Sequence, residues 1–434
     1  MPDVCKRVLV LGGYGFIGAA VVHALEEIGA EVIIAGRNRA AAARVMPGRV
    51  FRHLDLCQMQ SPQDWEKTLQ SATLVVNCAG ALQDQAAGEL ELIHHRAIAA
   101  LAQGCAAAGI GLVQISAAGA VPDASTSFMT TKAAGDAAVH AAGGRYWILR
   151  PGLVIGQQAF GGTLLLRMLA AVPLVQPLAL ARAQVQCVGL QDVARTVQLA
   201  AKGELPPGTY DLVEEQPQDL SLVIGQIRDW LGFAPARLVL PVPLWLLRPT
   251  FCAADMLGRL GWRAPLRSTA VKVLQTGVVG DPTAFRAAVG PLPSLKTSLA
   301  RMASGRAARL EARMALLMPF CVATLSLFWL VSGLVGLWQL EAAAQVLTST
   351  GWAALPALAS VVFWALVDIA LGAAILWRPV AARACLAMVA VSGVYLLAAT
   401  VLTPGLWADP LGPLVKVAPG ILLALVTHQL LQER

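Results

Sequence analysis

Val8-Leu9-Val10-Leu11-Gly12-Gly13-Tyr14-Gly15-Phe16-Ile17-Gly18 is the stretch that decides how the first half of this 434-residue chain reads. Four apolar residues make a short buried strand. Glycines follow at 12, 15 and 18, and from Phe16 to Ile28 apolar residues recur at helical spacing until Gly29 ends the pattern. Glycine at these positions permits a tight turn and lets a pyrophosphate approach the helix N-terminus, where unpaired N–H groups favour an anion. A bare glycine triplet is weak evidence. Set between a strand and a helix it is a dinucleotide-binding signature. Gly12, Gly15, Phe16, Ile17 and Gly18 are therefore candidate cofactor contacts.

The pattern continues outward from this unit. Further strands are expected at Glu31–Ala35, Val50–Leu54, Leu74–Val76, Leu112–Ile115 and Tyr146–Leu149. Helical patterns lie at Pro62–Leu69, Gly88–Ala108 and Met129–Ala142. Such alternation implies an α/β, doubly wound parallel sheet with helices on both faces. After the second strand the chain runs Ala35-Gly36-Arg37-Asn38-Arg39. An NAD site usually places a carboxylate there for the ribose hydroxyls. This segment has none, and its two guanidinium groups suit a 2′-phosphate. NADP is the expected cofactor, with NAD as the alternative. The competing reading leaves Arg37 and Arg39 in a solvated loop.

The second half has a different character. Apolar residues make up 57% of the chain and charged residues only 14%, against roughly 25% in ordinary soluble domains. Four membrane-length apolar segments are expected at Met314–Trp338, Trp352–Trp377, Val380–Leu402 and Leu411–Leu431. Trp338, Trp352, Trp377 and Trp407 lie at their edges, as in an aromatic belt. Acidic and basic residues balance after Met314, so the whole +7 excess lies upstream. It suits a solvated surface or an anionic lipid face. No basic run is interleaved with aromatics, so nucleic acid is not expected as a partner.

Arg301, Arg306, Arg309 and Arg313 precede the first span, and Arg378 and Arg383 separate the second from the third. The loops 339–351 and 403–410 hold no Lys or Arg. The positive-inside rule then puts the N-terminal domain and the C-terminus of a multi-pass inner-membrane protein in the cytoplasm. Lys6-Arg7 before an apolar stretch imitates a signal peptide, but glycines at turn spacing interrupt that stretch. The eight cysteines form no Cys-x-x-Cys pair, so neither a metal site nor a disulfide framework is expected. Asp368 and Lys416 fall inside expected spans, where a charge costs about 2.5–3.5 kcal/mol. They suggest a polar site for a ligand or proton, or an Asp–Lys structural pair.

Several pieces of the first half, in order, resemble the short-chain dehydrogenase/reductase superfamily in its extended or atypical form. His53-Leu54-Asp55-Leu56 is similar to the segment at the adenine. Asn77-Cys78-Ala79-Gly80 is similar to the turn after the fourth strand. Gln114-Ile115-Ser116 resembles the strand ending in the catalytic Ser, and Thr131-Lys132-Ala133-Ala134-Gly135-Asp136 the helix with the catalytic Lys. Leu149-Arg150-Pro151-Gly152 resembles the turn beside the nicotinamide, and Val188–Ala194 a later substrate-domain segment. The resemblance covers residues 7–215. It implies a Rossmann-type domain with a small substrate domain. It also implies cofactor contacts at Asp55, Leu56, Asn77, Ala79, Gly80, Lys132 and Pro151, and catalytic roles for Ser116 and Lys132.

The family's Tyr-x-x-x-Lys is here Phe128-Met129-Thr130-Thr131-Lys132. Phenylalanine carries no exchangeable proton, and losing a general acid costs about 10²–10⁴ in rate. NmrA-like redox sensors and the complex I accessory subunit of this fold are similar in lacking the tyrosine. After Met314 the number and length of spans resemble the DoxX-like four-helix membrane family. The expected division is 1–220, a membrane-proximal bridge at 221–309, and an all-α four-helix transmembrane bundle at 310–434. In the bridge, Pro241–Arg248 and Leu260–Arg267 set tryptophan near arginine, which suits either a bilayer interface or a substrate-domain core. Three functions follow as expectations. One is an oxidoreductase acting on a hydrophobic small-molecule substrate such as a quinone or isoprenoid. The second is a catalytically silent NADPH sensor or assembly factor for a membrane redox complex. The third is a small transporter with a nucleotide-regulated domain.

Overall fold

A computed structural model describes residues 7–84, 88–262, 268–410 and 412–432. Lys6, Arg263–Arg267 and Leu411, on which parts of the sequence reading fall, lie outside them. The chain divides into two compact units, Met1–Arg248 with Pro265–Arg309, and Pro249–Ala264 with Leu310–Arg434.

The first unit is built on seven parallel strands: β1 (Arg7–Leu11), β2 (Glu31–Gly36), β3 (Val50–His53), β4 (Leu74–Asn77), β5 (Gly111–Ile115), β6 (Tyr146–Pro151) and β7 (Gly208–Leu212). Their order is β7-β6-β5-β4-β1-β2-β3. All residues of β4 and β5 are buried, which is why these strands read as apolar runs rather than alternations. On one face α1 (Phe16–Glu27) packs beside helix Leu190–Ala201, joining Val21, Val22 and Leu25 to Val193 and Val197. On the other face lie helix Pro62–Leu69, α2 (Ala97–Ala107) and α3 (Ser127–Ala142), with Trp65, Ile98, Leu101 and Val139 in the core.

The six strands expected through residue 151 form within about two residues of their expected ends. The single helix expected at Gly88–Ala108 does not. A π-helical turn at Leu92–Arg96 separates Glu89–Glu91 from α2. Gly135 of α3 explains the close packing there, since a Cβ on it would collide with the His94 carbonyl oxygen.

The second unit contains α4 (Arg306–Trp338) from Leu310 onward, α5 (Ala354–Ala374) and α6 (Arg378–Leu402), three helices long and apolar enough to cross a membrane. The fourth expected span is corrected. Its helix, α7 (Val417–Gln432), has 16 residues, or about 24 Å, because turns through Gly412 and Pro413 occupy its expected start. Lys416 is exposed in that turn and is not Asp368's partner. Asp368 instead accepts hydrogen bonds from Tyr395 Oη (2.6 Å) and Ser332 Oγ (2.8 Å). Gly333 and Gly372 let α4 and α5 meet backbone to backbone: a Cβ on Gly372 would lie 2.8 Å from Leu330 N, and one on Gly333 would strike Ala365 O. Trp262 is buried in this unit's core and donates to Leu376 O at 2.6 Å. Trp338, Trp352, Trp377 and Trp407 are exposed.

Candidate cofactor site

The sheet order reverses between β1 and β4, and parallel α/β sheets bind ligands at the C-terminal strand ends beside such a reversal. The expected site residues gather along that edge. Gly12 to Gly18 follow β1, and Arg37 and Arg39 follow β2. Asp55 and Leu56 follow β3, Asn77 closes β4 with Ala79 and Gly80 after it, Ser116 follows β5, and Pro151 closes β6.

The glycines have separate reasons. Gly12 has φ +69° and donates to Ala35 O, and a Cβ on it would lie 2.9 Å from the Ala79 backbone. A Cβ on Gly18 would strike Gly12 O. Gly12 lets the loops after β1 and β4 meet, and Gly18 lets α1 start against the turn after β1. Gly15 donates to Gly12 O at 2.8 Å, and a Cβ on it would meet only that oxygen, at 3.1 Å. Gly15 is thus the position left open in front of α1, and the turn is a cradle a side chain would fill. Phe16 packs under Gly156, and its ring stacks on Phe160 at 5.9 Å.

The end of β2 is closed to an acidic side chain. A Cβ on Gly36 would lie 2.6 Å from the Tyr14 ring, whose hydroxyl accepts from Asn38 N–H. Arg37 donates to the buried Glu89 at 2.9 Å. Arg39 is exposed at the start of helix Arg39–Val45. Asp55 caps a short 3₁₀ turn through Cys57 N–H. Asn77 lies buried, donating to Gln114 and accepting from Ala79 N–H.

Ser116 and Lys132 are both buried. Lys132 Nζ donates to Ile115 O at 2.9 Å, and burial holds its pKa below the usual lysine range against the charge of Asp136. Ser116 Oγ donates to Asp136 Oδ2 at 2.8 Å, and Arg150 Nε donates to the same oxygen. Burial raises the Asp136 carboxyl despite Arg150, Ser116 and Lys132. Phe128 occupies the first position of the Tyr-x-x-x-Lys pattern, with His94 edge-on to its ring at 5.6 Å.

His94 is the site residue that the sequence reading missed. It is buried, its Nε2 accepts from Ala81 N–H at 3.1 Å, and its Nδ1 bonds Thr131 Oγ1. Nδ1 therefore carries the proton, and both ring nitrogens are occupied. Nothing local in the chain marks it, because it reaches the site only through the π turn and the fold. Burial, then the Lys132 charge, holds its pKa down at about 2. The folded value lies below the unfolded one of about 6.5, so acid protonates the unfolded chain first and stability falls as pH drops below about 6.5. Between pH 6 and 4 the loss is expected to approach about 1.4 kcal/mol per pH unit. His94→Gln should flatten that slope in pH-dependent melts of the purified chain.

The first unit is thus a dinucleotide-binding α/β domain, joined in one chain to membrane-length helices. Residues 8–210 match the NAD dependent epimerase/dehydratase family, and residues 326–425 match the DoxX-like family. The chain carries one domain of each, the first of the short-chain dehydrogenase type. Solved structures that share the fold include the following three. The Bordetella bronchiseptica enzyme WbmG, in complex with NAD and UDP, superposes with a TM-score of 0.51 at 17% identity, over 69% of this chain and 94% of that one. Thermotoga maritima UDP-glucose 4-epimerase with UDP-glucose gives 0.50 at 16%, over 68% and 97%. Citrobacter sp. triphenylmethane reductase complexed with NADP(H) gives 0.51 at 17%, over 68% and 100%. No curated protein matches the chain.

Proposed function

We propose that the chain is a membrane-anchored, NADPH-dependent reductase whose acceptor is lipid-soluble and needs no acid from the protein, a quinone being the class that fits. One observation carries this reading: the position one helical turn before Lys132, where the pattern places its tyrosine acid, is a phenylalanine, and the polar side chains around it are tied up in the fold. Phe128 has no proton to give, Ser116 commits its own to Asp136, and both nitrogens of His94 are engaged. The nearby Cys78 thiol is pushed up to about 12 by burial. A reduced ketone or aldehyde is an alkoxide, a base strong enough to require a general acid. A reduced quinone is a hydroquinone anion, a far weaker base that takes its proton from water.

When bound, NADPH supplies the hydride; with one proton from water the quinone becomes hydroquinone and NADP⁺ is left. The protein's own part is binding and orientation. The Gly12–Gly18 turn and the N-terminus of α1 receive the pyrophosphate. Asp55 and Leu56 border the adenine, Asn77, Ala79 and Gly80 shape the floor, and Lys132 with Pro151 borders the nicotinamide riboside. Arg39 meets the 2′-phosphate, since Arg37 is paired with Glu89. Arg39→Glu is expected to weaken NADPH binding by about 10–100-fold, the worth of one charged hydrogen bond, while NADH binding changes little in calorimetric titrations. Arg301, the arginines in the first turns of α4 and those at 378 and 383 support a cytoplasmic N-terminal domain in the inner membrane.

A second reading, a silent NADPH sensor or assembly factor, is favoured by the Ser116–Asp136–Arg150 cluster, in which the serine serves the fold. NADPH oxidation by the detergent-solubilised chain across quinones of different tail length separates the two. Tight NADPH binding with no turnover on any of them would rule out the reductase.

A further inference from the structure

We propose that the substrate-domain end of the first unit dips into the bilayer interface, through an apolar surface formed by two short parallel strands and the helix turn after them. Strand Leu238–Pro241 pairs with Val175–Leu178, and all four of its residues are exposed. Leu238, Val239 and Leu240 show 46–53% of their surface, Leu174 57% and Trp245 65%. A soluble surface rarely gathers so many large apolar residues along one strand and its neighbours.

Leu174 adds an independent observation. It is a leucine held at φ +62°, a conformation unfavourable for a side chain with a Cβ, and its carbonyl receives the N–H groups of Arg237 and Leu238. The fold keeps this unfavourable turn and still leaves the leucine uncovered by protein.

Charge and connectivity identify the occupant as lipid. Segments 159–191 and 233–251 contain no Asp or Glu before Gln191, and Arg182, Arg237 and Arg248 are exposed along them. An apolar surface whose own segments carry arginine and no carboxylate, with Trp245 next to it, has the composition of an interfacial anchor facing anionic headgroups. Helix Leu244–Arg259 starts in this surface and continues past Arg248 into the unit that carries the membrane-length helices. The surface therefore belongs to a segment that the chain itself delivers to the membrane.

The test uses the full chain in nanodiscs of phosphatidylcholine and phosphatidylglycerol doped with a diazirine-tagged acyl lipid. After photolysis, lipid adducts are mapped by mass spectrometry. Adducts are expected at 174–175 and 238–246 as well as on α4, α5 and α6, which serve as the internal positive control. Val239→Asp should lower the adducts at 238–246 by about fivefold or more, leaving those on the spans and NADPH binding unchanged. Adducts confined to the spans would overturn the proposal. Neither result depends on turnover, so this proposal and the reductase reading can fail separately.

Discussion

Phe128→Tyr is expected to raise reduction of small aldehydes and ketones by about 10²–10⁴-fold, the usual worth of a general acid, while quinone reduction stays within about threefold. Position 128 opens the turn of α3 that carries Lys132 one turn later, and Lys132 is already buried with its pKa held down by desolvation. A phenol there gains an acidic proton next to a preformed lysine. A quinone gains little because its reduced anion does not need that proton. Stopped-flow NADPH oxidation with matched aldehyde and quinone acceptors reads the difference. Equal stimulation of both acceptors would contradict the acid-free mechanism, and stimulation of neither would favour the sensor.

The second large effect separates two glycines that look alike in the sequence. Gly12→Ala must place a Cβ at φ +69° and 2.9 Å from the Ala79 backbone, which cannot retreat without moving β4. The combined strain and overpacking are expected to destabilise the first unit by about 2–4 kcal/mol. The Cβ of Gly15→Leu meets only the Gly12 carbonyl, at 3.1 Å, and at a φ open to any residue, so the melting temperature should shift far less than for Gly12→Ala, by no more than about 3 °C. Its side chain fills the cradle before α1, and NADPH affinity should fall on the order of a hundredfold as the charged contacts to the N–H groups are lost. Thermal melts and nucleotide titrations on the two variants should give opposite profiles. Lost stability without lost binding for Gly15→Leu would displace the pyrophosphate from this loop.

The legibility of the fold had a physical basis. Apolar runs of β-strand length between helical periods can be buried only in a parallel sheet covered on both faces, so the α/β class and six of the seven strands were visible in the chain. The glycine spacing after β1 carried the nucleotide assignment because turn geometry is local. Long apolar helices are equally local, and three of the four expected spans formed at membrane length. The fourth forms as a shorter apolar helix, because the turn at Gly412 (φ +56°) and Pro413 starts it later than hydropathy alone implies.

What depends on distant contacts was not legible. The sequence places Ser116 and Lys132 in a catalytic pattern, yet only the fold brings the Asp136 carboxylate, held by Arg150, onto the serine hydroxyl. His94 enters the site from a π turn that one glycine on another helix accommodates. Arg37 reads as a free cation until Glu89, fifty-two residues away, pairs with it. Asp368 and Lys416 read as a polar site for a ligand or proton, or as an ion pair, until Ser332 and Tyr395 supply the carboxylate's partners. By itself, then, the sequence determined the elements, their α/β class, the nucleotide loop and the membrane-length helices, since backbone propensity and hydrophobic period act over a few residues. Only the tertiary structure decided which buried polar group satisfies which, because a hydrogen bond in the interior is chosen by three-dimensional proximity that no local period encodes.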